Sequence, residues 1–586
     1  MFNIIQYRKR NNDRLFKNIK DVYNIDGLQN YIPIYKSIFN LSENNHNKIN
    51  LNTDEILEDF IDNGNAHIMN IHTNEIRSSA IHIKFAPILD PFRFIMGKYV
   101  DKNDMLYNLP IHLSENDNIL PKVSSSMNSA YTDSLFYYLT TKLLEKYNFI
   151  HGVKCYGTFI GIQNNYKFTI NDDLEYLSTC KYFTKNSNKL FKVDDYTKLL
   201  SDCSSTKSSK KKEHLNIDDS IITEDIDKLI DFTQYNFEDT TNNSPSEIIE
   251  TNEQTSINID SDSIDICEDY SNNNGDNDSN GDDSESSESS ESSVSSGSND
   301  SDDSNSNASG RKNYDEDDES DVWEDESDED EQDIDEDVYV TLDKFPITFI
   351  CMEKCSGTLD KLIDNDYFVT DEMWYAMFMQ LIMMLIVYQK SFSFTHNDLH
   401  TNNIMFIETE ETYLYYNYNN TVYRVPTYGK VFKIIDFGRS IYKVNNVDIC
   451  SDSYDVYGDA HTQYNCHPFF NPKKPIVVPN FSFDLCRLGT SIFDYLIMKP
   501  GKNENITRLV EEWCCDDKGK NVLYKSNGEE RYPDFKLYKM IARTVHNHLP
   551  ENQLTRECFT AFAIKTNETY TNMLNIDIIP SFFNDP

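Results

Sequence analysis

Polar residues of three kinds lie close together in the segment 394–406, which reads FTHNDLHTNNIMF. Asp398 follows His396 by two positions and precedes Asn403 by five. Further along, the strand-like run FKII leads into an Asp-Phe-Gly triplet that begins at Asp436. Two carboxylates and one amide in this order are the groups that phosphoryl transfer uses to bind Mg²⁺ and to orient an acceptor hydroxyl. The spacing therefore indicates phosphoryl-transfer chemistry.

The charge of the chain is concentrated in one segment. The 586 residues carry a net charge of −44, and residues 251–340 alone hold 33 acidic residues against two basic ones. The remainder is only mildly acidic. Nucleic-acid binding requires a concentrated basic surface, and the sequence has none. Nucleic acid is therefore not expected as a partner.

The acidic segment belongs to a longer tract, residues 201–336, that is rich in Ser, Asp, Glu and Asn. Such a composition buries too little apolar surface to offset the entropy lost on ordering, so we expect a disordered insertion. It is either a polyanionic arm that recruits basic proteins or a solvated expansion without a function. Both interpretations stay open from the sequence.

One uncharged stretch, residues 373–389, is seventeen residues long, which is the lower limit for crossing a bilayer. Its length and the absence of a second candidate favour a buried core helix. The twelve cysteines show neither disulfide nor zinc spacing, and the N-terminus lacks the pattern of a signal peptide. We therefore expect a cytoplasmic protein without a membrane span.

The hydrophobic pattern predicts strands first and helices second. Strand patterns occur from residue 55 to 71, around Lys84, and from residue 153 to 162, with a helix at 128–147 between the last two. Residues 338–355 read as two strand-like stretches joined by a turn, and Asn419-Asn420 as the turn of a hairpin. Residues 482–563 read mostly as helix. The pattern predicts an α+β fold with a β-rich lobe and an α-rich lobe, divided near Glu353.

A strand lysine, a helix, an apolar strand ending in ICMEK, then H-x-D-L-x-x-x-N and I-D-F-G make this chain resemble the protein kinase superfamily. The resemblance extends, with gaps, from about residue 55 to about residue 563. The stretch 84–99 and the Tyr-, Asn- and Ile-rich composition are similar to serine/threonine protein kinases of giant DNA viruses of the mimivirus type. A viral origin would place the protein in the host cytoplasm, and packaging in the virion is left open.

The resemblance implies a bilobal kinase fold with five parts. Residues 1–54 form an N-terminal extension, 55–200 the first part of the small lobe, and 201–336 the insertion. Residues 337–355 supply the last strands of the small lobe and the hinge, and 356–586 the large lobe.

The resemblance also implies roles for individual residues, with ATP and Mg²⁺ as cofactors. Asp398 would be the catalytic base, and Asn403 and Asp436 would hold Mg²⁺. Lys84 would bind the α- and β-phosphates, with Asp133 as its ion-pair partner in place of the usual Glu.

Two further implied elements bind the nucleotide. The glycine-rich loop is reduced to DNGNAH, in which Gly64 is the one glycine. The hinge would extend from Met352 through Glu353 to Cys355 and offer backbone groups to adenine.

Four more positions are assigned from the same resemblance. His396 would be a buried structural residue beside the Asp-Phe-Gly backbone, and Asp484 would anchor the backbone of the catalytic loop. Asn397 replaces the usual Arg, so no cation is expected there to bind an activation-loop phosphate. His400 replaces the usual Lys, as in aminoglycoside- and choline-kinase-like enzymes.

The resemblance implies an ATP-dependent kinase that phosphorylates Ser or Thr of protein substrates. Two alternatives remain. One is a pseudokinase scaffold that binds partners through its acidic insertion, and the other is a small-molecule phosphotransferase, which His400 favours.

Overall fold

The computed structural model describes residues 4–111, 118–194, 337–499, 503–565, 570 and 572–583. The predicted disordered insertion, residues 201–336, lies outside them. The described residues form a mixed α+β structure that is rich in strands in its N-terminal part and in helices in its C-terminal part.

An antiparallel sheet dominates the N-terminal part, with the strand order β2-β7-β9-β6-β5-β4 and β8 paired to β9. β2 comes from the first 54 residues, so this segment is part of the sheet. The strands are β1 Tyr7–Lys9, β2 Ile25–Gln29, β3 Ile49–Leu51, β4 Glu55–Phe60, β5 Asn65–Asn70, β6 Ile76–Pro87, β7 Cys155–Thr169, β8 Lys192–Val193 and β9 Tyr339–Glu353. The helices are α1 Asp13–Tyr23, α2 Pro91–Ile95, α3 Pro121–Ser124, α4 Ser129–Tyr147, α5 Leu174–Thr179 and α6 Lys181–Asn186.

The prediction of a turn within residues 338–355 is wrong, because β9 is one continuous strand of 15 residues. Lys344-Phe345-Pro346 resembles a turn in sequence, but β7 pairs with β9 on both sides of it. Pro346 needs no partner for an N–H, and its carbonyl accepts a hydrogen bond from the Ile88 N–H at 3.0 Å. Pairing with β6 and β7 together outweighs the local turn preference.

The C-terminal part contains helices and small sheets with the strand orders β10-β11-β14, β17-β13-β12-β18 and β15-β16. The strands are β10 Gly357–Thr358, β11 Ile404–Glu408, β12 Tyr413–Tyr418, β13 Thr421–Pro426, β14 Lys430–Ile434, β15 Ile441–Val444, β16 Val447–Cys450, β17 Ala563–Ile564 and β18 Met573–Asn575. The helices are α7 Leu359–Asp364, α8 Asp371–Phe392, α9 Phe483–Ile497, α10 Glu504–Trp513, α11 Lys536–Thr544, α12 Pro550–Gln553 and α13 Glu557–Thr560. The predicted hairpin is confirmed: Asn419 and Asn420 join β12 to β13 with φ values of 50° and 57°.

Two long helices form the centre of the core. α4 begins after Asn128, whose side chain accepts a hydrogen bond from the Ala130 N–H, and α8 begins after Thr370, which caps the Met373 N–H. Seventeen of the 22 residues of α8 are buried, which confirms the predicted core helix at 373–389. In the described part of the chain, no helix is long and apolar enough to cross a membrane.

A fully buried histidine joins the turn after α4 to the small sheets. His151 Nδ1 lies 2.7 Å from the Phe432 carbonyl oxygen and Nε2 lies 2.8 Å from the Tyr416 hydroxyl. Because a carbonyl can only accept, Nδ1 carries the proton and Nε2 accepts from Tyr416. Burial lowers the pKa of His151 to about 4, so the folded protein holds the imidazole neutral.

This histidine predicts a specific pH dependence of stability. The pKa of His151 is about 4 in the folded protein and 6.5 in the unfolded chain. As the pH falls below 6.5, the unfolded chain therefore takes up a proton that the folded protein excludes. The contribution of neutral His151 to the free energy of unfolding is therefore fully present above pH 6.5, and it falls by about 3 kcal/mol as the pH is lowered to 4. In urea unfolding, the difference between wild type and His151→Phe should shrink by this amount between pH 7 and pH 4. A difference that does not change with pH would contradict the assignment.

The chain leaves and re-enters the sheet at neighbouring points on either side of residues 195–336. β8 pairs with the start of β9, and the Asp194 N–H donates to the Tyr339 carbonyl at 3.0 Å. The cost of closing a loop grows only logarithmically with its length, so the flanking strands can pair whatever the length of the insertion.

Replacing residues 201–336 with a short Gly/Ser linker should therefore leave the folded structure intact. We expect the midpoint of urea unfolding to stay the same or rise slightly, since a shorter loop costs less entropy to close. Circular dichroism during urea titration measures this. An insoluble or unfolded linker protein would show that the insertion belongs to the folded core.

Candidate active site

Lys84 is the centre of an ion-pair triad drawn from three distant segments. Its Nζ lies 2.7 Å from Asp133 Oδ2 on α4 and 2.9 Å from Asp436 Oδ1, just after β14. The structure thus brings together the predicted lysine, its predicted partner and the predicted Mg²⁺ ligand. A lysine on β6 can reach both because β6 pairs with β9 at the centre of the sheet.

The two carboxylates of the triad have different surroundings. The Asp133 side chain is 1% exposed and that of Asp436 is 48% exposed. Burial raises the pKa of Asp133 to about 6, although Lys84 opposes the shift. Burial also acts to raise the pKa of Asp436, but Lys84 outweighs it and lowers this pKa to about 2. Asp133 is thus the buried counterion, and Asp436 is the ionised carboxylate that faces solvent.

Helix α4 also holds the backbone of the Asp-Phe-Gly triplet. The Asp436 N–H donates to the Tyr137 hydroxyl at 3.0 Å, and the Phe437 N–H donates to Asp133 Oδ1 at 2.7 Å. Asp436 has φ 62°, a left-handed conformation that costs an L-residue energy unless its surroundings impose it. These two hydrogen bonds impose it here, together with the buried Phe437 ring, which packs against Phe136 at a tilt of 51°.

Asp484 of α9 anchors the loop that carries Asp398. Its two carboxylate oxygens accept from the backbone N–H groups of His396 and Asn397, both at 2.9 Å. His396 is fully buried, and its Nε2 donates to the Ile435 carbonyl at 2.9 Å. Asn397 has φ 66°, so the bonds to Asp484 hold a second left-handed residue. The structural roles predicted for His396 and Asp484 are confirmed.

Asp398 is enclosed by residues that the sequence did not predict. Its Oδ1 accepts from the Tyr538 hydroxyl at 2.7 Å, and its Oδ2 accepts from Arg439 Nη1 at 3.3 Å. Arg487 Nε lies 3.8 Å from Oδ1. Arg439 directly follows the Asp-Phe-Gly triplet, which was a usable signal, whereas no local pattern marked Tyr538 or Arg487.

Position 397 carries no cation, as expected, but Arg439 lies beside the loop that carries Asp398. Asn397 itself is uncharged, and its Oδ1 accepts from the Tyr464 hydroxyl at 2.7 Å. The guanidinium of Arg439, however, lies beside Asp398 and also binds Asp459 Oδ2 at 2.6 Å. Asp459, which belongs to the segment after Gly438, therefore pairs with Arg439. A phosphate on that segment would have to compete with Asp459 for this cation.

Asn403 connects the loop that carries Asp398 to the segment of Asp436. Its Nδ2 donates to the Asp398 carbonyl at 3.0 Å and lies 3.1 Å from His400 Nε2. Its own carbonyl accepts from the Ile435 N–H at 3.0 Å, one residue before Asp436. Burial lowers the pKa of His400, so a neutral imidazole can accept from Asn403.

These contacts fit a magnesium site that is completed by phosphates. Because Asn403 Nδ2 is engaged, its Oδ1 is left as the atom that can bind a cation. The exposed carboxylate of Asp436 is the second candidate ligand, one residue after the Ile435 N–H that binds the Asn403 carbonyl. Among the described residues, no group of three His, Cys, Asp or Glu side chains forms a metal site. Mg²⁺ does not require one, since it is commonly bound by one or two protein oxygens together with substrate phosphates and water.

The predicted hinge is a defined structure at the end of β9. Glu353 Oε1 accepts from the Lys154 N–H at 2.8 Å and from Lys433 Nζ at 2.7 Å. Met352 is buried. Burial raises the pKa of the Cys355 thiol to about 11, so the thiol is protonated at neutral pH. The predicted contacts of these residues with adenine remain predictions.

Gly64 lies in the turn between β4 and β5. Its carbonyl accepts from the Ile81 N–H at 2.9 Å, three residues before Lys84. A Cβ at this position would meet nothing closer than Asp62 Oδ1 at 3.9 Å. The fold therefore does not itself require glycine here, and the predicted role of Gly64 in nucleotide binding remains a prediction.

No protein-family model matches the chain, and no curated protein matches it.

The triad predicts a graded response to substitution of Asp133. Asp133→Ala leaves the Phe437 N–H without its acceptor and removes one of the two counterions of Lys84, which should cost about 3 kcal/mol of unfolding free energy. Asp133→Asn retains an acceptor for Phe437 and should cost less. Urea unfolding at neutral pH measures both. Equal losses in the two variants would mean that the hydrogen bond to Phe437 contributes nothing.

Proposed function

We propose that this chain is an ATP-dependent protein kinase with a bilobal kinase-type fold that transfers the γ-phosphoryl group to Ser or Thr hydroxyls. The observation that carries the proposal is the Lys84 triad, because a lysine held between a buried and an exposed carboxylate is a ready site for phosphates and their counterion. Support also comes from Asn403, which connects Asp436 to the loop of Asp398.

In the proposed reaction each residue has a separate task. Lys84 binds the α- and β-phosphates, and Asp133 keeps it charged and oriented. Asp436 and Asn403 hold Mg²⁺, which neutralises charge on the phosphates when it is bound. The hinge at Glu353 presents backbone groups to adenine.

Asp398 performs the proton chemistry. It accepts a hydrogen bond from the acceptor hydroxyl and takes its proton as the oxygen attacks the γ-phosphorus. The bond from the γ-phosphorus to the oxygen that bridges it to the β-phosphate breaks, and ADP leaves. Asp484 and His396 position the loop, because they hold the backbone on either side of Asn397. A loop held in this way keeps the carboxylate in place without reorganisation during the reaction.

A small-molecule phosphotransferase is the second candidate. The observation that favours it is the contact of His400 with Asn403, which puts an imidazole where protein kinases usually place a lysine. Transfer of radiolabelled phosphate to dephosphorylated casein or, instead, to small alcohols and aminoglycosides separates the two activities.

Two substitutions test the proposed division of tasks. Asp398→Asn should keep Mg²⁺-dependent nucleotide binding but lower phosphoryl transfer by about two to four orders of magnitude, since the base is lost. Asp436→Ala should lose the Mg²⁺-dependent part of nucleotide binding as well. Thermal shift with ATP and Mg²⁺ measures binding, and radiolabelled ATP measures transfer.

Asp448→Asn is the matched control, because this exposed carboxylate pairs only with Lys443 among the described contacts. It should behave as wild type in both assays. Nucleotide binding without transfer in wild type would favour the pseudokinase scaffold. Equal transfer by wild type and both active-site variants would refute the kinase assignment.

A further inference from the structure

The phenol of Tyr538 is hydrogen-bonded to Asp398, the carboxylate that the proposed reaction needs as its base. Tyr538 lies on α11, and its hydroxyl donates to Asp398 Oδ1 at 2.7 Å. The phenolic oxygen of Tyr538 also accepts a hydrogen bond from Arg487 Nε at 2.9 Å. The hydroxyl group is thus fixed from both sides, as donor to the base and as acceptor from a guanidinium.

The ring of Tyr538 is held as firmly as its hydroxyl. Phe535 stacks on it with centroids 5.4 Å apart and planes 21° from parallel. The guanidinium groups of Arg439 and Arg487 lie 5.6 and 5.0 Å from the ring centroid, within cation–π range. These contacts place the phenol on Asp398 as a packed feature of the fold.

Both oxygens of Asp398 already accept a hydrogen bond. Oδ1 binds Tyr538, and Oδ2 binds Arg439, whose own position is set by Asp459. The Asp398 side chain is only 21% exposed. A general base must be within hydrogen-bond reach of the proton that it removes, so an acceptor hydroxyl competes with these partners for the little exposed surface of the carboxylate.

We propose that Tyr538 is an internal gate: its hydroxyl takes the place of the acceptor hydroxyl on Asp398, and α11 must move before an acceptor can bind. This gate presupposes the phosphoryl transfer proposed above. Displacement of Tyr538 is the simpler way to free Asp398, because the hydroxyl of the acceptor then replaces the hydroxyl of Tyr538 as hydrogen-bond donor. Displacement of Arg439 would instead break its ion pair with Asp398.

The hydrogen bond to Asp398 Oδ1 would also suit Tyr538 as an acceptor of the phosphoryl group, because its oxygen keeps a second lone pair beside the one that binds Arg487 Nε. The packing of its ring against Phe535 and two guanidinium groups favours the blocking role. Self-phosphorylation is therefore one of the outcomes that the test has to separate.

Two variants separate the parts of the gate. Tyr538→Phe removes the hydrogen bond and keeps the ring, whereas Tyr538→Ala also removes the ring. With dephosphorylated casein below saturation, kcat/KM should rise about tenfold in Tyr538→Phe, the scale of one hydrogen bond to a charged group, and at least as much in Tyr538→Ala. Tyr532→Phe, which removes a phenol that has no described contact with Asp398, should match wild type.

A second readout does not depend on activity. Coupling of glycine ethyl ester to Asp398 by a carbodiimide, followed by mass spectrometry of the peptides, measures access of a reagent to the carboxylate. Both Tyr538 variants should label Asp398 several-fold faster than wild type and Tyr532→Phe. Circular dichroism establishes that each variant is folded.

The outcomes distinguish the gate from the kinase assignment. Faster labelling with no transfer in any protein would support the contact and refute the kinase activity. Unchanged labelling, or slower transfer in Tyr538→Phe, would overturn the gate and leave Tyr538 as a positioning residue. Phosphate found on Tyr538 after incubation with ATP would overturn it in favour of self-phosphorylation.

Discussion

The ion pairs of Lys84 are the interaction on which the rest of the site depends. Removing an ammonium from water is costly, and the two carboxylates at 2.7 and 2.9 Å compensate for that cost. They come from a helix and from the end of a strand, so the triad is complete only when β6, α4 and β14 are packed together. Burial of Asp133 on α4 strengthens this coupling, because water cannot solvate its carboxylate and Lys84 has to stabilise the charge instead.

Backbone strain at the site is maintained by the same packing. Asp436 and Asn397 both adopt left-handed conformations, and each is held by hydrogen bonds from a buried helix. α4 supplies Tyr137 and Asp133 for the first, and α9 supplies Asp484 for the second. Strained residues persist only where their surroundings over-determine them, and here two helices do so. The result is a pair of loops whose carboxylates are oriented before any ligand binds.

The surroundings of Asp398 show a different balance. A carboxylate with two arginines and a phenol around it is well stabilised, and it is also poorly available. Availability and stabilisation oppose each other at such a carboxylate, because the groups that stabilise it also bind its oxygens. In this chain the conflict is concentrated on one side of the site, where α11 and the segment after Gly438 meet the loop that carries Asp398.

The sequence by itself determined the local features: the strand that carries Lys84, the core helix at 373–389, the Asn419-Asn420 hairpin, and the spacing of Asp398, Asn403 and Asp436. These depend on short-range periodicity and turn chemistry, which neighbouring residues encode. Prediction from the sequence failed at Pro346, because the pairing of β9 with β6 and β7 overrode a local turn signal. Only the tertiary structure decided the partners of Asp398, because Arg439 and Tyr538 lie 41 and 140 positions away and no periodicity extends that far. Such contacts depend on how helices pack, and packing is set by the whole core.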